Sequence, residues 1–139
     1  MTTRLDHVAI LLPEIADGTS FWVDALGLPL EKIEEIPEQQ VKIAFLSAGD
    51  SHIELIEPTD DTSGVANYLQ ERGPSLHHIC LEVDDIEETI SLLKKAGTAL
   101  IDDEPKIDKN GKKLAFIHPK GTGGVLVELY QYPDLKQDV

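Results

Sequence analysis

The 139-residue sequence holds one cysteine, one methionine and one tryptophan, and aromatics make up only 5% of it. With Cys80 alone, no disulfide can close within the chain, so a fold stapled by disulfides is excluded. A reducing compartment suits such a chain, and a cytoplasmic location is the expectation. Long apolar runs are missing too. Nothing approaches the roughly 18 residues a membrane-spanning helix needs. Met1-Thr2-Thr3-Arg4 leads directly into a strand-like run, so no signal peptide is expected. Cations are scarce: 12 Lys and Arg stand against 26 Asp and Glu, a net charge of -14. That balance argues against nucleic acid or an anionic membrane as the partner, since both bind positive surface. A small anionic ligand stays open. Lys106, Lys109, Lys112, Lys113 and Lys120 lie close together, and are either a solvated loop or a local landing site for phosphates.

What the chain does have is a repeat. Leu5-Asp6-His7-Val8-Ala9-Ile10 returns as Leu76-His77-His78-Ile79-Cys80-Leu81, so His7 matches His78. Lys42-Ile43-Ala44-Phe45-Leu46 returns as Lys113-Leu114-Ala115-Phe116-Ile117 at the same offset. After a short insertion between His118 and Gly124, Ile53-Glu54-Leu55-Ile56-Glu57-Pro58 returns as Val127-Glu128-Leu129-Tyr130-Gln131-Tyr132-Pro133. One module is written twice, and a repeat fixes architecture before other signals do.

Each module reads as strand, helix, then three strands. In the first, strands are expected at 4–12, from Leu28, at 41–48 and at 53–58, with a helix over 14–26 that Gly27 caps. Gly49-Asp50 is the turn between the last two strands. A connecting helix is expected over 62–72. In the second, strands are expected at 76–83, 98–103, 113–118 and 125–132, and a helix at 85–96. Asp85 and Glu88 form the N-terminal cap of that helix, and Ile86, Ile90 and Leu93 its apolar stripe. Residues 134–139 are expected to fray. The fold class is therefore α+β: two tandem βαβββ modules, about 4–72 and 75–133, in one domain, forming a curved, cavity-enclosing mixed sheet with the helices outside.

Four residues recur at equivalent places: His7 with His78, and Glu54 with Glu128. A glutamate inside an apolar strand is costly unless it is paired or binds a cation. A lone histidine in a strand is commonly a hydrogen-bonded core residue. Four such residues in repeat register instead suit a His₂Glu₂ site for Co²⁺, Mn²⁺, Ni²⁺, Fe²⁺ or Zn²⁺, with positions left for substrate. Cys80 shares the face of His78 but reads as a small buried thiol. His52, His77 and His118 lack the full repeat pattern. A metal with open positions beside carboxylates can hold an enolate oxygen while a carboxylate moves the proton next to a carbonyl.

With these residues in place, the sequence resembles the methylmalonyl-CoA epimerase family of the vicinal oxygen chelate (glyoxalase-like) superfamily. The resemblance rests on Leu5-Asp6-His7-Val8-Ala9-Ile10, Pro37-Glu38-Gln39, Gly73-Pro74-Ser75-Leu76-His77-His78-Ile79, Asp103-Glu104-Pro105, Phe116-Ile117-His118-Pro119-Lys120 and Gly124-Val125-Leu126-Val127-Glu128-Leu129. It implies a metal-dependent epimerase, with cobalt as the first expectation, that moves the C2 proton of methylmalonyl-CoA. Implied metal ligands are His7, Glu54, His78 and Glu128. Implied proton carriers are Glu128 and Glu54. Gln39 is expected to touch the substrate carboxylate, and Lys112, Lys113 and Lys120 the coenzyme A phosphates. A homodimer is expected. Two positions depart from the family: Glu54 stands where well-known members carry Gln, and Ile43 where some carry a glutamate. Glu54 fits a glyoxalase I-like lyase acting on a glutathione hemithioacetal, which is the alternative. A non-catalytic binding module on the same fold is a third possibility, opposed by the presence of all four ligand residues.

Overall fold

The structure, a computed structural model, describes residues 3–134. The expected fraying of 134–139 falls, from 135 on, outside the described residues. In chain order the elements are β1 (Thr3–Leu11), α1 (Ile15–Thr19) running into a π-helical turn (Ser20–Ala25), β2 (Leu30–Ile36), a 3₁₀ turn (Pro37–Gln39), β3 (Val41–Ala48), β4 (Ser51–Pro58), α2 (Gly64–Arg72), β5 (Ser75–Val83), α3 (Ile86–Lys95), β6 (Lys106–Ile107), β7 (Lys113–Ile117), a 3₁₀ turn (Pro119–Gly121) and β8 (Val127–Gln131). The two βαβββ modules and the linking helix are borne out. The chain divides into two compact units, His7–His77 and Met1–Asp6 with His78–Val139. The opening of β1 thus belongs with the second module.

In the His7–His77 unit the strand order is β2-β3-β4-β1. β1 runs parallel to β4, while β3 is antiparallel to both β4 and β2. Side chains alternate between the two faces. One face carries Ala44, Leu46 and Leu55, which pack with Leu12, Ile15, Trp22 and Val23. The other carries Ala9, Leu11, Val41, Ile43 and Ile56, covered in part by Val65, Tyr68 and Leu69 of α2. Gly18 looks like a weak point in the helix, yet a side chain there has no room. An added Cβ would sit 2.8 Å from Leu55 Cδ1 and 3.0 Å from Leu12 Cδ1. Glycine is what lets α1 lie directly on β4. Gly27 closes the helical run as expected, at φ +90° with its N–H donating to the Val23 carbonyl.

In the other unit the order is β5-β8-β7-β6, with β5 parallel to β8. Ala115, Ile117, Val127 and Leu129 pack against Ile86 and Ile90 of α3. Asp85 caps α3, its Oδ1 accepting from the Glu88 N–H at 3.0 Å. One expectation is corrected here. Residues 98–103 do not form a strand. Only Leu100 bridges to Ile117, and the two-residue β6 occupies the edge. Asp102 is the cause: its side chain accepts from the Phe116 N–H at 2.8 Å, while the Ile101 and Asp102 N–H groups both donate to the Phe116 carbonyl. A side-chain acceptor has replaced a ladder bond. β2 and β6 are terminal strands, so each unit's sheet keeps an open outer edge.

Candidate metal centre and substrate face

The register explains how the repeat builds two matching pairs. Ala9 lies opposite Glu54, and His7 is two residues before Ala9 on the same face. Cys80 lies opposite Glu128, and His78 is two residues before Cys80. Each histidine is therefore the diagonal neighbour of its glutamate across a parallel strand pair, within reach of its side chain. His7 Nδ1 is 3.1 Å from Glu54 Oε2, and His78 Nε2 is 3.1 Å from Glu128 Oε1. Both pairs lie on the face turned away from α1 and α3. All four residues are buried, at 1%, 8%, 6% and 6% exposure for His7, Glu54, His78 and Glu128.

Each pair fits the donor set of a divalent ion. Two adjacent donors about 2.1 Å from one ion, at right angles, stand about 3 Å apart. The observed nitrogen–oxygen separations match that edge. The two histidines use different ring nitrogens, Nδ1 in one and Nε2 in the other, so the pairs are equivalent in place but not in detail.

An aromatic ring flanks each glutamate. Phe45 lies opposite Glu54 on β3, and Phe116 lies opposite Glu128 on β7. Phe116 also meets the His78 ring edge-on, with centroids 5.7 Å apart. These apolar neighbours lower the local dielectric and strengthen any charge interaction there. Ile43 sits on this face, 6% exposed and packed with Ala9 and Ile56. The position where some relatives offer a glutamate is here a core contact.

The strand residue three beyond each glutamate points to the opposite face and holds a helix. Glu57 Oε1 accepts from the Ile15 N–H and Gln131 Oε1 from the Ile86 N–H, both at 2.8 Å. Just past the same end of β8, Tyr132 donates its hydroxyl to Asp6 Oδ2 at 2.6 Å. Burial first, and that hydrogen bond second, push the Tyr132 phenol well above its ordinary pKa. It stays protonated as a donor.

The other candidates are spread out. Gln39 is exposed in the turn after β2. Lys112 Nζ stands 3.8 Å from the centre of the Tyr130 ring and 3.9 Å from Asp108 Oδ2. Tyr130 shares the face of Glu128, so Lys112 reaches that face. Lys113 points the other way, bonding Glu87 on α3 at 2.6 Å and holding the Glu87 carboxyl below its usual pKa. Lys120 is exposed in the turn after β7. The basic stretch is thus partly neutralised from within. Sequence reading missed Phe45 and Phe116 as site residues, although the repeat it found contains both. It also missed Lys32, which lies over the Phe45 ring at 4.8 Å from its centre. A hollow of the His7–His77 unit lies beside α1, lined by Ile15, Val23, Leu30, Ile33, Lys42 and Glu57 among others. Neither His7 nor Glu54 borders it.

Comparison with known proteins adds the following. Residues 6–116 match the Glyoxalase/Bleomycin resistance protein/Dioxygenase superfamily. The chain is 39% identical over 129 residues to the mitochondrial methylmalonyl-CoA epimerase of Mus musculus, spanning 92% of this chain and 72% of that protein. It is 37% identical over 134 residues to an ethylmalonyl-CoA/methylmalonyl-CoA epimerase of Cereibacter sphaeroides, spanning 94% and 99%. A solved methylmalonyl-CoA epimerase in complex with methylmalonyl-CoA and NH4+ superposes with a TM-score of 0.85 at 29% identity, covering 97% of this chain and 98% of that one.

Proposed function

Because the chain belongs to the methylmalonyl-CoA epimerase family of the glyoxalase superfamily, we propose that it interconverts the (2R) and (2S) epimers of methylmalonyl-CoA. It is then an isomerase of the racemase and epimerase class. The observation that carries this reading is the pair of buried His–Glu contacts at repeat-equivalent register positions, each 3.1 Å apart. In this reading His7, Glu54, His78 and Glu128 are the residues that would serve as ligands of a divalent ion, as the family resemblance implies. Co²⁺ is the first choice, and Mn²⁺, Ni²⁺, Zn²⁺ and Fe²⁺ share the donor preference. When bound, such an ion supplies Lewis-acid polarisation of the thioester carbonyl, which acidifies C2.

The chain's own residues move the proton. One carboxylate, Glu128, takes it from C2, and the C–H electron pair passes into the thioester as an enolate. C2 becomes planar and loses its configuration. A proton delivered to the opposite face completes inversion, with no co-reactant consumed. Ile43 can carry no proton, so Glu54 is assigned that second role as well as metal binding. Phe45 and Phe116 keep water from the flat intermediate. Lys112 and Lys120 are assigned to the coenzyme A phosphates, with Lys113 turned toward α3. Gln39 is kept as a loop contact to the acyl portion.

The working form is taken to be a cytoplasmic homodimer, on the resemblance to the family and the single cysteine. No helix among the described residues is long and apolar enough to cross a membrane. The strong negative charge argues against nucleic acid and anionic membrane as partners.

The carboxylate at position 54 favours one alternative, a lyase acting on a glutathione hemithioacetal. Parallel assays separate the two. Epimerisation of (2R)-methylmalonyl-CoA, with no turnover of methylglyoxal plus glutathione, is expected. The reverse pattern would replace the epimerase reading with the lyase.

A further inference from the structure

The hollow beside α1 has a counterpart beside α3, and the repeat makes the two comparable. Ile15 opens α1 as Ile86 opens α3, each with its N–H held by a side chain of its module's last strand. Each hollow lies between that helix and the segment at the sheet's outer edge. The one beside α3 is small, about 210 Å³, and Glu87, Ser91, Lys94, Asp103 and Glu104 border it. The one beside α1 holds about 480 Å³ between Ile15, Val23, Leu30 and Ile33. Ala16 stands where α3 carries Glu87, and Ile33 where Asp103 and Glu104 border the other hollow. The fold accepts charge at these places, yet the first module sets apolar surface there. Leu30 and Ile33 remain 41% and 51% exposed. Exposed apolar residues scattered singly are ordinary, whereas several that line one hollow mark an interaction site.

The charges differ as well. In the second module Lys113 bonds Glu87 at 2.6 Å. Lys42 is the repeat mate of Lys113. With Ala16 in place of the glutamate, it stands 3.8 Å from Glu57 Oε2 instead. That pair cancels in charge. At the rim stand the exposed carboxylates of Glu14 and Asp24. Glu14 precedes α1 without capping it through its side chain. Asp24 lies in the last turn of the helical run, where α3 ends in Lys94 and Lys95. A negative charge there opposes the helix dipole, so Asp24 does not serve its own helix.

We propose that this hollow is a docking site for a segment of another protein that carries apolar side chains flanked by lysine or arginine. The apolar anchors fill the space between Val23, Leu30 and Ile33, and the cations meet Glu14 and Asp24. Charge argues against a second copy of this chain as the occupant. At a net charge of -14, a copy would bring mainly carboxylates to a rim of carboxylates. Neither His7 nor Glu54 borders the hollow, so an occupant leaves their face uncovered.

The probe is a synthetic amphipathic helix of leucine and lysine, titrated calorimetrically into the full chain. A peptide with serine in place of leucine carries the same charge and serves as the control. Trp22, the single tryptophan, packs in the cluster that includes Ile15 and Val23, so its emission reports binding at the hollow. The leucine–lysine peptide should bind and shift that emission, and the serine–lysine peptide should bind about tenfold more weakly or worse. Ile33→Glu, which supplies a carboxylate like those bordering the other hollow, should weaken binding by roughly 10- to 100-fold. General attraction of a basic peptide to an acidic protein would instead grow stronger in that variant. Asp24→Lys, which matches the end of α3, should weaken binding too. Both variants should keep the circular dichroism of the unsubstituted protein. Undiminished binding by Ile33→Glu, equal binding of the serine–lysine peptide, binding without a Trp22 shift, or no binding would each overturn the proposal. So would a dimer that Ile33→Glu converts to monomer in sedimentation, because a second copy would then cover the hollow.

Discussion

At the scale of single residues, the side chains of the candidate site are revealed unequally by sequence and structure. His7, Glu54, His78 and Glu128 were legible because a repeat doubles every signal. A glutamate within Ile53-Glu54-Leu55-Ile56 is an anomaly, and the same anomaly at Glu128 turns it into a pattern. Lys32 was not legible. Its face is set by a one-residue bulge in β2, and alternation read from the sequence assigns the wrong residue to that spot. Glu54 carries the sharpest residue-level prediction. Glutamine keeps an oxygen donor for a metal but cannot carry a proton. Glu54→Gln is expected to bind one Co²⁺ per site, measured by metal analysis after gel filtration, while kcat falls by roughly 10²- to 10⁴-fold. Unchanged turnover would remove Glu54 from proton transfer.

At the scale of elements, most strands and all three helices were readable, and the failures have physical causes. α3 emerged from its cap and stripe, with Asp85 as N-cap, Glu88 three residues on and Ile86 and Ile90 buried. The strand expected at 98–103 failed because Asp102 intercepts the Phe116 N–H with its side chain. Apolar content alone could not show that. Nor could it show the matched anchoring of α1 and α3, whose first N–H groups are taken up by Glu57 and Gln131. The strand that presents a candidate ligand on one face therefore fixes a helix on the other. A carboxylate at a helix start also meets the positive end of the helix dipole. Glu57→Ala and Gln131→Ala are each predicted to cost about 0.5–2 kcal/mol, read from urea unfolding midpoints. Glu57→Gln, which keeps the acceptor, should lose less. Equal midpoints for Glu57→Ala and the unsubstituted protein would show that the anchor contributes nothing.

At the scale of the whole molecule, the duplicated module is the organising fact. Each copy supplies one histidine, one glutamate and one flanking phenylalanine on the face opposite its own helix, and neither copy alone offers four donors. What the repeat could not convey is its broken symmetry: β2 carries a bulge at Glu31, Asp102 replaces a ladder bond beside β7, and Gln131 replaces Glu57. The central claim is that Glu128, with a divalent metal bound, moves the proton at C2. It is tested most directly by deuterium incorporation at C2 of methylmalonyl-CoA in heavy water. The protein would be stripped of metal, then reloaded with Co²⁺, and compared with Glu128→Gln. Exchange that disappears on stripping, returns with Co²⁺ and is lost in Glu128→Gln is the predicted result. Exchange that persists in metal-free protein, or survives in Glu128→Gln, would contradict the account.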